Sequence, residues 1–248
     1  GQFGIGFSGD AAVNNVINEA HAFINDPGVI EAIGLTIEAT DSTAVVAAAG
    51  SATLASDMKS FGIAGSFAYN DVKGSALAWL RDATVTVGGA GLRIHAERDK
   101  ASGVWAATAS AALSRGWFAG AMNASLNYSQ WNTEANLYDA VVRSGRHVAL
   151  TARDDSKTMS IAAAAGWGAD SGFGGSFSLN EMSGTTKAGV TAATLDVLGD
   201  LTVDADHNAK IVSASGSYGG SDKFVFVVTA AWNRLNSVVG SSISASTV

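Results

Sequence analysis

The amino-acid sequence predicts an all-β fold in which a repeated unit stacks into a β-solenoid. Three observations carry this prediction: a composition rich in small residues, an internal repeat, and a strand-like alternation inside that repeat. Charged residues make up 15% of the 248 residues, whereas about 25% is typical, and the chain has 29 glycines and one proline. Such a composition favours short strands joined by tight turns over helices or a disordered chain.

The repeat is visible in two motifs. One has the order small polar, Ala or Phe, Ala or Ser, large apolar, Asn, and its closing residues follow one another at steps of 56, 57, 53 and 53: Asn14, Asn70, Asn127, Asn180 and Asn233. The other, first seen at Leu35–Ala39, recurs at steps of 57, 56 and 53, beginning at Leu92, Val148 and Leu201. Two motifs with nearly the same steps indicate about 4.5 repeats, so residues 1–248 are predicted to be one repetitive segment.

Each motif alternates with the period of a β-strand. In Leu201–Ala205 the apolar side chains Leu201, Val203 and Ala205 fall on one face, with Thr202 and Asp204 on the other. A unit of this kind cannot bury its faces alone, and stacked copies can, which is why the repeat predicts a solenoid. We expect two turns of about 25–30 residues in each repeat. We also expect the recurring Asn residues to form one line along the stacking direction, because amide side chains bond to their neighbours in such ladders.

The two motifs also resemble a known family. The order Gly-x-Leu-x-Val-x-Ala at Gly199–Ala205 resembles strands of the filamentous-haemagglutinin class, and Ala12-Val13-Asn14 resembles strands of giant leukotoxin-type filamentous adhesins. The resemblance covers essentially the whole chain and implies a right-handed parallel β-helix, secretion across a bacterial outer membrane, and a role in attachment or cell–cell contact. It implies no catalytic residues. The chain departs from the haemagglutinin pattern in its repeat length, because the turns of that family are nearer 20 residues.

Catalytic and cofactor motifs are not found in the sequence. There is no cysteine, no G-x-S-x-G or phosphate-binding loop, and no ligand spacing among the histidines, which are His21, His95, His147 and His207. Asp204–Asn208 lacks the Gly and Glu of a calcium loop. We therefore predict no catalytic, cofactor-binding or metal-binding residue, no cofactor, and no enzymatic activity. The charged triplets Glu97–Asp99 and Arg153–Asp155 are interpreted as exposed corners that keep the chain soluble.

The aromatic residues are the candidates for contact with a partner or a sugar: Trp105, Trp117, Trp131, Tyr128 and Tyr138. The net charge of −7 disfavours nucleic acid. No stretch is long and apolar enough for a membrane-spanning segment. The chain starts at Gly1 without a signal sequence, and we interpret it as an internal piece of a longer secreted, cell-surface protein.

The predicted function is structural or adhesive, as a segment of an extracellular filament or surface adhesin. The expected partners are neighbouring repeats, copies of the chain placed end to end, and cell-surface glycans or proteins. A carbohydrate-active β-helix enzyme or a sugar-binding module is the alternative, and it would require a charged cluster that breaks the repeat.

Overall fold

The computed structural model describes residues 3–25 and 28–248, and all regular structure in these ranges is β-strand. The described residues contain no helix long and apolar enough to cross a membrane. In chain order the strands are β1 Phe3–Asn25, β2 Val29–Asp41, β3 Ala44–Ala55, β4 Lys59–Arg81, β5 Thr84–Arg98, β6 Gly103–Ser114, β7 Phe118–Tyr138, β8 Val141–Ser144, β9 Val148–Asp154, β10 Lys157–Gly168, β11 Ser171–Thr191, β12 Thr194–Val197, β13 Leu201–His207, β14 Lys210–Gly220 and β15 Phe224–Ser244. The all-β prediction is confirmed.

The strands form parallel sheets that the chain visits in a fixed order. Sheet A has the order β1-β4-β7-β11-β15, and sheet C has the order β3-β6-β10-β14. In sheet B, β2 pairs with β5, and β5 pairs with both β8 and β9. β8 then pairs with β12, and β9 pairs with β13. Each strand pairs in parallel with its equivalent one repeat away, as Asn70 does with Asn127. One circuit through sheets A, B and C uses the whole repeat, so the strands that make up the circuit must be long.

The prediction of two solenoid turns in each repeat is wrong. Sheet A strands span 21 to 23 residues, and one strand of A followed by strands of B and C completes a single circuit. At about 3.3 Å per residue, a 23-residue strand is roughly 75 Å long, about as long as a strand of B and a strand of C joined end to end. The alternation in the sequence identifies strands, but it does not show which strands pair with one another. The pairing decides how many residues one circuit of the solenoid contains.

The interior changes character along sheet A. Where the first half of sheet A faces sheet C, the buried side chains are small, as at Ala64, Ala68 and Ala112. Where the second half faces sheet B, they are large and aliphatic, as at Leu80 and Ile94. Small side chains allow two sheets to approach closely, whereas Leu and Ile fill a wider gap. The body is therefore thin between A and C and thicker between A and B.

A left-handed backbone residue follows each of the last four strands of sheet A. These residues have φ between 48° and 56°, and they are Asp82, Asp139, Ala192 and Ala245. Asp tolerates this region better than Ala, because its short polar side chain can bond locally. The turn from sheet A into sheet B is therefore built the same way in successive repeats, with a less suitable residue in the last two.

Candidate interaction surfaces and internal ladders

The five recurring Asn residues lie opposite one another on the inner face of sheet A. The Nδ2 of Asn70 donates to Oδ1 of Asn127 over 2.8 Å, and Asn127 donates to Asn180 over 2.8 Å. The Nδ2 atoms of the first four Asn residues also donate to backbone carbonyls of sheet C, for example from Asn127 to Met159 O over 2.7 Å. The ladder therefore joins neighbouring repeats and also joins sheet A to sheet C.

A second interior line carries charge. Asp41, Arg98, Asp154 and His207 occupy equivalent positions at the ends of β2, β5, β9 and β13. Arg98 pairs with Asp41, and both side chains are fully buried. His207 Nδ1 lies 3.3 Å from Asp154 Oδ2, in a second largely buried contact. Acid and base alternate from repeat to repeat, so each buried carboxylate lies beside a basic group.

This charged line corrects the prediction of exposed corners. Arg98 and Asp154 belong to the triplets interpreted as solvated turns, yet both are fully buried. The alternation of the second motif contained the signal, because Leu92, Ile94 and Ala96 point inward and the next residue on that face is Arg98. The prediction of exposed corners rested on the charge of these residues and not on their position in the alternation.

Two of the buried groups, Arg98 and Asp154, have shifted pKa values. Burial lowers the pKa of Arg98, and the neighbouring carboxylates of Asp41 and Asp154 only partly oppose that shift. For Asp154, burial alone raises the pKa, but His207, hydrogen bonds from Ser156 and the charge of Arg98 outweigh it, so the net pKa is lowered. The Ser156 backbone N–H donates to Asp154 Oδ1 over 2.9 Å. The site favours the ionised carboxylate of Asp154.

Trp131 completes the buried core beside this line. The Arg98 guanidinium carbon lies 3.5 Å from the centre of the indole ring, which is a cation–π arrangement. The residues opposite Trp131 in the neighbouring repeats are Gly74 and Gly184. A side chain at Gly74 would lie 2.6 Å from the Trp131 ring, so the glycine provides the space that the indole occupies. Trp131 is only 1% exposed, so its ring is not accessible for the partner contact that the sequence predicted.

The other four predicted contact residues do not come together. Trp105 is half-buried on the outer face of sheet C, and Trp117 is exposed at a turn, packed against Phe61. Tyr128 lies on the outer face of sheet A, with its ring centre 5.7 Å from that of Tyr69. Tyr138 ends β7, where Arg81 lies over its ring at 5.3 Å. No single site is formed from these four side chains.

The outer face of sheet A instead carries an apolar trough that the sequence interpretation missed. Its floor follows one aligned row that contains Gly9, Gly65, Met122 and Gly175, and the rings of Phe67 and Phe177 line one wall. It is an open depression of about 760 Å³ and is lined mainly by apolar side chains. Glycine at three of these positions leaves a depression between taller rows because it has no side chain, and Met122 interrupts the row between Gly65 and Gly175. The strand alternation contained this signal, since Phe67 and Tyr69 share the face opposite Asn70.

The outer surface is divided by polarity. The outward side chains of sheet B are mostly charged or hydroxylated, as at Glu38, Arg93, Thr202 and Asp204. The outward side chains of sheet C and of the first half of sheet A are mostly apolar. Apolar patches of this extent on an exposed face mark places where another surface binds.

A metal centre is not apparent in the described ranges, because no three His, Asp or Glu side chains within residues 3–25 and 28–248 come together as ligands. The predicted absence of cofactors stays a prediction. No protein-family model, no curated protein and no solved structure matches this chain.

Proposed function

We propose that this chain is a right-handed parallel β-helix segment of a secreted bacterial surface protein or extracellular filament, with a structural and adhesive role. The observation that carries the proposal is the in-register stacking, in which Asn70, Asn127 and Asn180 bond directly across repeats. A body built this way lengthens by adding repeats, each of which contacts only its neighbours. The sequence resemblance supports the handedness, the secreted location and the role in attachment.

The outer strands of sheet A support a filament. Along β15 every residue is exposed, including Phe226, Val227 and Trp232, and β1 exposes Phe7 and Val13 at the opposite side of the sheet. Strands with one unpaired edge are templates for further pairing. In the proposed function the next repeat of a longer chain, or another copy placed end to end, pairs with these edges.

The trough on sheet A supports adhesion. Phe67 and Phe177 line the trough beside a floor of mainly glycine, and aromatic rings bind apolar faces of sugars and of protein side chains. The proposed partners are therefore cell-surface glycans or proteins. Adhesion by many repeats would not require a tight single site, because linked weak contacts add through effective concentration.

The experiment is retention of beads coated with the chain on cultured cells and on immobilised glycans under flow. Replacing Phe67 and Phe177 by Ser is expected to reduce retention at least several-fold, because the trough loses its wall. Thr202→Ser on the exposed face of sheet B is the matched control and should retain beads like the unaltered chain. Equal retention by the Phe variants and the control, or no retention of the unaltered chain on any surface, would refute the adhesive role.

A sugar-binding module is the second candidate, and the aromatic trough is the observation that favours it. Soluble oligosaccharides should then bind the isolated chain in calorimetry, and the Phe67→Ser change should abolish the heat signal. A carbohydrate-active enzyme would in addition release reducing ends from polysaccharides over time, which the structural and adhesive proposal does not predict.

A further inference from the structure

The two ends of the stacked body differ in shape. Sheet A has five strands and sheet C has four, and the strands of sheet B also form four levels, because β8 and β9 share one level and β12 and β13 share the next. At one end, which we term the flush end, β1, β2 and β3 lie at the same level. At the other end, which we term the stepped end, β15 lies one level beyond β13 and β14. The described residues after β15 add to sheet B only the bridge from Thr247 to Thr194.

The strand β15 is the least covered strand of sheet A. It pairs with β11 along one edge, and every residue from Phe224 to Ser244 is exposed. Its inward side chains Val227 and Leu235 are 44% and 47% exposed, because the strands of sheets B and C do not reach its level. At the flush end, β2 and β3 lie at the level of β1, and an inward side chain such as Val16 is partly buried.

We propose that the edges of β11, β13 and β14 form one docking surface for the flush end of a second copy of this chain, and that β15 occupies the part of it that β1 of that copy would use. The strands β1, β2 and β3 of the second copy lie at one level, so they can pair with β11, β13 and β14 together only when β15 has left β11. Release of β15 then permits head-to-tail stacking, which propagates because the contact does not close on itself. The inference rests on the end-to-end contact of the proposed function and specifies its register.

The inward side chains at the two ends match in size. The register of sheet B makes Leu35 equivalent to Leu201 and Ile37 equivalent to Val203, so stacking in the same register would place these apolar residues opposite each other. Leu35, Leu201 and Val203 are only partly buried in the single chain, although they pack against the core. Stacking would bury them as their equivalents in β5 and β9 are buried, and removal of apolar surface from water stabilises the contact.

The buried charged line also favours a second copy at the stepped end. Asp41, Arg98, Asp154 and His207 alternate between acid and base, and a further strand of sheet B in the same register would place Asp41 of the second copy beside His207. In the single chain His207 contacts Asp154, and among the described residues none bonds to its buried Nε2. Stacking would place a carboxylate on both sides of His207, as Arg98 has Asp41 and Asp154 on its two sides.

The direction of the Asn ladder selects head-to-tail over head-to-head contact. Asn14 donates to Asn70, Asn70 to Asn127 and Asn127 to Asn180, so the flush end presents the acceptor oxygen of Asn14. The Nδ2 of Asn180 lies 3.1 Å from the amide of Asn233 in β15, and Asn14 of a second copy would take that place. Two flush ends placed together would instead bring two acceptor oxygens face to face.

One outward row opposes stacking. Asp204 would lie opposite Glu38 of the second copy, and both side chains are exposed. Each copy also has a net charge of −7. Salt screens repulsion between exposed charges. Stacking is therefore expected to increase with salt concentration.

Two alanine pairs provide matched variants of the full chain. Ala11-Ala12 of β1 and Ala230-Ala231 of β15 occupy the same two rows of sheet A at opposite ends. Consecutive residues of a strand direct their N–H groups to opposite sides, so a Pro–Pro pair removes at least one bond to the neighbouring strand. Ala230→Pro with Ala231→Pro should release β15 and lower the concentration needed for stacking by about tenfold, the effect of one or two lost hydrogen bonds. Adding Ala11→Pro with Ala12→Pro should abolish that gain.

Sedimentation velocity measures the stacking, and circular dichroism checks that the variants fold. Leu235→Lys, which alters one exposed inward side chain of β15, carries the same expectation where the proline pair unfolds the chain. A disulfide can lock β15 in place, because the chain has no cysteine and Glu181 and Arg234 are aligned on β11 and β15. Their Cα atoms are one strand spacing apart, about 4.8 Å, which a disulfide can bridge. In the Ala230–Ala231 proline variant, Glu181→Cys with Arg234→Cys should stop stacking when oxidised, and a reductant should restore it.

The axial repeat of the rods in electron cryomicroscopy identifies the register. Four levels per copy give about 19 Å when β15 is released, whereas five levels give about 24 Å when β15 stays in place. A 24 Å repeat, stacking that persists in the oxidised lock, or folded variants of β15 that stack no better than the unaltered chain would overturn the proposal. Rods formed equally by the unaltered chain would leave the end-to-end contact of the proposed function standing while this inference fails. Absence of rods from all folded variants at every salt concentration would contradict that contact as well.

Discussion

Removal of one amide from the centre of the Asn ladder should destabilise the whole body. Asn127 is fully buried, donates to Asn180 and to the Met159 carbonyl, and accepts from Asn70. Asn127→Ala removes three hydrogen bonds, each of which contributes about 1 kcal/mol net, and it leaves buried partners unsatisfied. We expect the free energy of unfolding to fall by about 3–4 kcal/mol, a large part of the ~5–15 kcal/mol that is typical of a folded domain.

The matched control is Asn14→Ala at the outer end of the same ladder. Asn14 donates to Asn70 over 2.9 Å and to the Val46 carbonyl over 2.8 Å, but it is only half-buried, so water can replace both partners. The expected cost is about 1 kcal/mol. Asn127→Asp tests polarity at constant shape, because a carboxylate cannot donate to the Met159 carbonyl. At neutral pH it should destabilise more than Ala does, since it buries a charge against acceptors.

The assay is urea unfolding followed by circular dichroism, with midpoints compared at equal slope. Equal slopes are required because a change of slope would report a change in cooperativity and not in stability alone. The reasoning is refuted if Asn127→Ala lowers the midpoint no more than Asn14→Ala does. In that case the ladder would be a consequence of the stacking and not a contributor to it.

Three further predictions concern single positions. Gly74→Ala introduces a methyl group 2.6 Å from the Trp131 ring and should cost about 1–3 kcal/mol in urea unfolding, whereas Gly216→Ala meets nothing within 4 Å and should change stability by less than about 0.5 kcal/mol. Ala192→Asn, at a φ of 52°, should stabilise by about 0.5–1 kcal/mol, and an unchanged thermal midpoint would show that the turn is not strained. The pKa of Asp154 is lowered although burial opposes the shift, so its contribution to stability is present above the unfolded pKa of about 3.9 and is lost as the pH falls through the lower, folded value. Stability should therefore decline below about pH 4, and Asp154→Asn should show a smaller decline in a urea–pH series; an identical decline in both proteins would contradict the assignment.

The strands and their stacking can be predicted from the sequence, because equivalent residues of successive repeats occupy equivalent positions in the stack. Alternation in Leu201–Ala205 predicts a strand, and the shared steps of the two motifs predict stacked copies. The faces of sheet A follow from the same alternation, with Ala68 and Asn70 inside and Phe67 outside. The aromatic residues were harder to place, because burial of an indole depends on which residue lies opposite it in the next repeat. Trp131 is buried only because Gly74 and Gly184 occupy those opposite positions.

The sequence by itself determined the strand class, the repeat and the line of Asn residues, since these depend on side-chain period and composition. The tertiary structure decided that each repeat forms one circuit of the solenoid. The number of circuits depends on where the chain turns from sheet B into sheet C. The tertiary structure also decided that Arg98 and Asp154 lie inside, since a charged side chain can be buried only where opposite charges from neighbouring repeats meet it. The trough likewise exists only after folding, because it is assembled from residues that are 53 to 57 positions apart and become neighbours when the strands of sheet A stack.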